Sequence, residues 1–283
     1  MVNLTSFVLG RMPTNISVQQ LLDFFESAPH LCDINLYSVT PFPTALYGRL
    51  VTLACLKRLE IADCGPSYFL LDHLSIPVGV ILTVRGRLIR SGDLLPKSLD
   101  NLRNFSNFTA IQLSVIGPYP RIEFSGPNGR VNMILTNILA KETHLVLESL
   151  AQIDTSKTEC LVIEEGRPRA LRDPLYQTLL PMTDLRTLKI SRCRSPHIFT
   201  QVLRLGMNSS GVVYPKLKEL ILESPDEALD VKSVVGMTVW RAWKGKKLRT
   251  IRIVDGRGEP DPEIMSELKK HVSHVDYVFE LVR

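Results

Sequence analysis

The segment Leu185-Arg-Thr-Leu188-Lys-Ile190-Ser-Arg-Cys193 reads L-x-x-L-x-I-x-x-C, and Leu56-Lys-Arg-Leu59-Glu-Ile61-Ala-Asp-Cys64 repeats it position for position. Alternate apolar residues leave a short strand on one side, toward a core, and the residues between them leave on the other. A small side chain such as Cys suits the point where the chain turns off the strand. The pattern recurs with starts at 4, 31, 56, 108, 158, 185, 217 and 248. Most steps run from 25 to 32 residues, and two, of 52 and 50, have the length of two steps each. Gly79-x-x-Leu82-x-Val84 fills the first long step poorly, and Val275-x-x-Val278 closes the chain. A unit this short cannot bury its own apolar face and must stack on its neighbours, so the recurrence predicts a leucine-rich-repeat solenoid.

Helical segments are expected between the strands. Ser17 can cap a helix over Val18–Ser27, with Val18, Leu21, Leu22 and Phe25 on one face. Further helices are expected over Thr44–Leu53, near Tyr68–Leu74, and over Leu94–Asn104, Leu145–Ile153, Asp173–Leu180, His197–Leu205, Asp230–Trp243 and Asp261–Val272. The exception is the stretch from Arg121 to Leu135. There Ile122/Phe124 and Val131/Met133 alternate with polar residues around Pro127-Asn128-Gly129. Asn-Gly between alternating segments predicts a β-hairpin, read as an insertion into the regular array. The fold class is therefore α/β: one repeat domain over residues 1–283, a curved parallel sheet on the concave side, helices on the convex side, and a hairpin at about 121–135.

Composition narrows the setting. With 45% hydrophobic residues the chain can bury a large core. A net charge of +5 is too mild for a dedicated nucleic-acid binder. Cys32, Cys55, Cys64, Cys160 and Cys193 are scattered, with no C-x-x-C, which fits a reducing compartment. The start Met1-Val-Asn-Leu-Thr-Ser-Phe7 lacks the pattern of a secretory leader. The longest apolar run, Phe69 to Val84, is broken by Asp72, His73 and Pro77. A cytoplasmic or nuclear protein with no membrane partner is expected.

The stretch from Ser17 through Asp33-Ile-Asn-Leu36, together with Leu53–Ile61, Leu71-Asp-His-Leu-Ser-Ile-Pro77 and Phe124-Ser-Gly-Pro-Asn-Gly129, resembles the repeat region of F-box-type proteins expanded in mushroom-forming fungi. The resemblance covers most of the chain. It implies the substrate-recognition region of a subunit of a cullin–RING ubiquitin ligase. In that family an F-box before the repeats holds a Skp-type adaptor. This sequence starts directly in a repeat, so adaptor binding is expected only if an F-box is missing from it. An F-box-less repeat scaffold with no ubiquitin role is the alternative that the same pattern allows.

The face between the strand Leu residues is the natural binding surface. Its alternate positions are Asp33, Asn35, Tyr37, Arg58, Glu60, Arg85, Gln112, Val162, Glu164, Lys189, Glu219, Ile221, Arg252 and Phe279. Tyr37, Arg58, Glu60, Arg85, Gln112, Lys189, Ile221, Arg252 and Phe279 are the candidate contacts for an unidentified protein ligand, since interfaces favour aromatic residues and Arg. Trp240 to Arg249 is basic with two Trp, which would suit single-stranded nucleic acid. Packing of Trp240 on the sheet accounts for it better. His271 and His274 have a metal-compatible spacing but no third ligand in sequence. The pair Asp72-His73 lacks a G-x-S-x-G elbow, and no phosphate-binding glycine motif occurs. No catalytic residue, cofactor or metal is assigned, and an enzyme is not expected.

Overall fold

The computed structural model describes residues 3–11, 16–39, 48–64, 68–87, 99–116, 119–136, 153–165, 181–192, 200, 203, 212–224, 230–255 and 261–279. Among the described residues the fold is α/β, with few helices and twelve strands of large, mostly parallel sheet. The chain divides into two compact units, Met1–Phe108 with Pro118–Asp154, and Thr109–Gly117 with Thr155–Arg283.

In unit 1 the spatial order is β1 (Ser6–Gly10), β2 (Asp33–Tyr37), β4 (Arg58–Ala62), β6 (Ile81–Arg87), β9 (Gly129–Thr136) and β8 (Arg121–Gly126). The first five strands are parallel, and β8 runs antiparallel to β9. Repeat positions meet across the sheet. Phe7, Ile34, Leu59, Leu82 and Val131 form one row, and Leu9, Leu36, Ile61, Val84 and Met133 the next. Apart from Phe7 and Leu9 on the edge strand, every member is buried.

The weak Gly79 repeat is thus in full register with its neighbours. Gly79 sits at φ +85°, a left-handed conformation that excludes the Leu found there in other repeats. The hairpin exists, but it is no insertion outside the array. Its second strand pairs with β6 from Ile81↔Arg130 to Arg87↔Thr136. Val131, Met133 and Leu135 carry the same inward alternation as a repeat strand, and a one-residue slip would turn them to solvent. The strand of the Phe108 repeat, β7 (Ala110–Val115), pairs instead with β10 (Cys160–Glu165).

Unit 2 continues from β10 through β11 (Thr187–Ser191), β12 (Glu219–Ser224), β13 (Thr250–Asp255) and β14 (His274–Phe279), all parallel. Ile111, Leu161, Leu188, Leu220, Ile251 and Val275 form one inward row. Leu113, Ile163, Ile190, Leu222, Ile253 and Tyr277 form the other.

Two backbone devices recur with the side-chain pattern. The carbonyl just ahead of a strand accepts two successive N–H groups from the next repeat. Cys32 O takes Lys57 and Arg58 at 2.7 and 3.0 Å, and Thr109, Glu159, Arg186 and Lys218 behave alike. Directly after the strands, Arg11, Ser38, Asp63 and Arg192 hold φ between 52° and 55°. Their N–H groups donate to Tyr37, Ala62, Arg85 and Glu223 carbonyls of the following repeat. Five repeats are also entered by a turn. Ala28, Leu53, Thr155, Met182 and Tyr214 are buried, and their carbonyls accept from the residue three positions on, which opens the L-x-x-L motif.

Helix α1 spans Val18–Ser27. Ser17 Oγ accepts from Gln20 N at 3.1 Å, Gln20 Oε1 accepts from Ser17 N at 2.9 Å, and Val18, Leu21, Leu22 and Phe25 are buried. Helix α2 is the single turn Tyr68–Leu71. Helix α3 spans Val231–Trp243 behind an Asp230 cap, and α4 spans Pro262–His271 behind an Asp261 cap. Thr200 and Leu203 are helical and buried within the expected His197–Leu205 helix.

Two expected helices are corrected. The end of Thr44–Leu53 is not helical: Val51–Thr52 forms β3, parallel to β5 (Leu74–Ser75). Leu102 bridges Ile76, and only a 3-10 turn at Arg103–Phe105 lies in the described end of Leu94–Asn104. Val51 and Thr52 are β-branched, and Pro77 drives Ile76 to extended backbone, so this layer of unit 1 is partly strand. Leu145–Ile153 (apart from Ile153 itself), Asp173–Leu180 and Cys193 lie outside the described residues.

Candidate interaction surface

In each unit alternation leaves one side of the strands lined by the residues between the inward rows. In unit 1 the outward register rows are Asp33–Arg58–Ile81–Arg130, Asn35–Glu60–Thr83–Asn132 and Tyr37–Ala62–Arg85–Ile134. The candidates Tyr37, Arg58, Glu60 and Arg85 therefore share one face. Val8 is 61% exposed, Ile81 40% and Tyr37 36%, so this face shows apolar surface to solvent. Tyr37 is fixed in place: a Cβ on Gly10 would lie 2.2 Å from its ring, so the ring rests on the bare backbone of β1. Arg58 faces Asp33 at 3.8 Å, and Arg130 faces Glu123 at 3.2 Å. Among the described residues, Glu60 and Arg85 have no ion pair, and the buried Asn35 Oδ1 accepts no hydrogen bond.

In unit 2, Gln112, Val162, Lys189, Ile221 and Arg252 fall in one row, which ends at Asp276. Glu164 and Glu219 lie on the rows to either side. The charges here close on one another. Lys189 Nζ meets Glu223 at 2.9 Å, Arg252 Nε meets Asp276 at 3.6 Å, and Thr187 Oγ1 donates to Glu219 at 3.1 Å. Burial, with help from Glu219, raises the pKa of the Cys160 thiol on this face. Among the described residues no large apolar side chain stands exposed on the strand face of unit 2.

Phe279 does not join this row. Val275 aligns with Ile251, so Phe279 pairs with Asp255, on the alternation of Ile253 and Tyr277. The motif Val275-x-x-Val278 places the strand three residues out of step, and an odd slip exchanges the faces. Asp276 holds the outward position instead. Sequence reasoning also missed Ile81, Thr83, Glu123, Arg130 and Asn132. The alternation around Asn128-Gly129 carried the signal for Glu123, Arg130 and Asn132, once the hairpin is counted as sheet, and the Gly79 motif carried it for Ile81 and Thr83.

The basic segment at Trp240–Arg249 splits by burial. Trp240 is packed inside, whereas Trp243 is 76% exposed. Arg241 is fully buried, and its Nη1 and Nη2 donate to the Val213 and Tyr214 carbonyls at 2.9 Å each. Burial lowers its pKa to about 10. Its charge thus clamps the entry turn of the Leu217 repeat and is not offered to a ligand. His271 bonds Glu267 at 3.1 Å from α4, while His274 opens β14 and stands exposed. His73 Nδ1 lies 2.9 Å from the Arg49 carbonyl. No cluster of three or more metal-ligating side chains occurs among the described residues, and no helix among them is long and apolar enough to cross a membrane. No protein-family model, no curated protein and no solved structure matches the chain.

Proposed function

We propose that the chain is a leucine-rich-repeat protein-binding module, and that unit 1 presents the principal contact surface on its concave strand side. One observation carries this reading. On the unit 1 face, exposed Val8, Tyr37 and Ile81 stand beside Glu60 and Arg85, which no ion pair occupies among the described residues. Interface centres combine aromatic and aliphatic surface with desolvated polar groups, and an already paired charge gains less from a partner. The resemblance to fungal F-box-type repeat regions adds a role: recognition of a protein destined for ubiquitination, with a Skp-type adaptor engaged only if an F-box is missing from this sequence.

The test compares two variants of the full chain as bait. One carries Val8→Asp, Tyr37→Asp and Ile81→Asp, and the other Lys189→Glu and Arg252→Glu. Loss of the captured proteins from the first alone, with both variants folded by circular dichroism, is the expected result. Equal capture by all three forms removes the unit 1 face from the proposal. Ubiquitination of a captured protein by the chain joined to an F-box, reconstituted with Skp adaptor and cullin–RING enzymes, tests the ligase role separately.

A further inference from the structure

We propose that the outer face of α3 and the turn after it dock on an anionic membrane surface. Helix α3 is apolar on two sides. Val234, Met237 and Trp240 are buried against unit 2. On the solvent side Val235 is half-buried, Val239 is 37% exposed and Trp243 is 76% exposed. Those three are spaced four residues apart, so they line one stripe. An ordinary surface helix places polar residues there.

The stripe ends in a concentration of positive charge. Lys244, Lys246 and Lys247 follow Trp243, and all are exposed. Lys247 Nζ lies 3.5 Å from the Lys270 carbonyl, which brings the last turn of α4, with exposed Lys269 and Lys270, to the same place. The nearby Glu267 carboxylate is taken by Lys270 at 2.7 Å and His271 at 3.1 Å. A surface with this charge balance is complementary to a negative one.

The apolar part selects among negative partners. Single-stranded nucleic acid is held by successive bases stacked on open aromatic faces. Here one exposed ring is available, Lys244 Nζ already lies 4.4 Å from its centroid, and its neighbours along the helix are valines. Indole with valine suits the boundary between headgroups and acyl chains, and lysine stems let the ammonium groups reach phosphates from there. With 13 residues the helix is about 20 Å long, too short to cross ~30 Å of hydrocarbon. It would lie in the plane of the surface.

The experiment is co-sedimentation of the full chain with vesicles of phosphatidylcholine alone and of equal parts phosphatidylcholine and phosphatidylserine. Binding only to the second, with a blue shift of tryptophan emission and release by salt, is expected. Trp243→Ala should abolish the blue shift, because Trp240 is already buried. Lys246→Ala with Lys247→Ala should weaken binding roughly 30-fold. All three positions are exposed, and matching circular dichroism shows the fold is kept. No binding to the anionic vesicles overturns the proposal, as does binding that neither variant changes. Tighter binding of a thymidine oligonucleotide, lost in the same variants, also overturns it and reassigns the surface to nucleic acid.

Discussion

The two units have the same kind of core and different faces. In each, a pair of aliphatic rows runs across parallel strands, and carbonyls ahead of the strands hold the next repeat in step. On the other side of the sheet, unit 2 closes its charges laterally through Lys189–Glu223 and Arg252–Asp276. Unit 1 leaves Val8, Tyr37 and Ile81 in solvent. A repeat pattern therefore dictates the inward positions and leaves the outward ones free to differ, which is where specificity can reside.

The largest expected effect tests whether the cores are equivalent. Leu59→Ala in unit 1 and Leu188→Ala in unit 2 should each cost about 2–5 kcal/mol in urea unfolding. Both side chains are at most 1% exposed, so a much smaller loss for either would break the equivalence. Next comes a device found in unit 2. Arg241→Met leaves the Val213 and Tyr214 carbonyls without their donors and should cost about 2–4 kcal/mol, read by the same unfolding. An unchanged midpoint would show that the clamp is dispensable.

The faces can be compared directly. Tyr37→Ala should weaken a partner captured by the chain by at least about tenfold, as for an aromatic hot spot, and Arg252→Ala should change it little. The reverse order would move the contact surface to unit 2. Lys189→Ala should cost less than about 1 kcal/mol of stability, because its pair with Glu223 is partly solvated. The smallest effect concerns Glu267. Lys270, then His271, lower its pKa by hydrogen bonding. A carboxylate with a depressed folded pKa adds stability above its unfolded value and loses it as pH falls through the folded one. Glu267→Gln should therefore lessen the acid-side decline slightly, and an unaltered pH profile would show that the contact contributes nothing.

Much of the core was readable because burial needs apolar residues at a fixed phase. Leu31, Leu56, Leu185, Leu217 and Leu248 announce their repeats, and Ser17 with Gln20 announces α1. The misreadings share one origin: places where another force overrides the consensus. Gly79 disguised a repeat because backbone conformation, not packing, chose that residue. The hairpin hid a repeat strand because it returns to β6 out of chain order. Val275 and Val278 misled because two valines of opposite parity offered two registers, and only pairing with β13 decides between them. The outward rows follow from the inward ones, so Arg58, Glu60, Lys189 and Arg252 were legible. Which of their charges would be neutralised was not, since Glu223 and Asp276 lie on neighbouring strands. The burial of Arg241 was not legible either, because its acceptors are carbonyls 27 and 28 residues earlier.

The doubly accepting carbonyl ahead of several strands has a consequence for how such a chain can change. Because Arg186 O holds Lys218 and Glu219 and the β11–β12 ladder continues from there, registration is local, and nothing in it records how far the chain travelled in between. Connecting segments are thus free to lengthen, shorten or accept a grafted peptide while strand alignment is conserved. The intervals of 27, 32 and 31 residues from Thr158 to Leu248 already exercise that freedom.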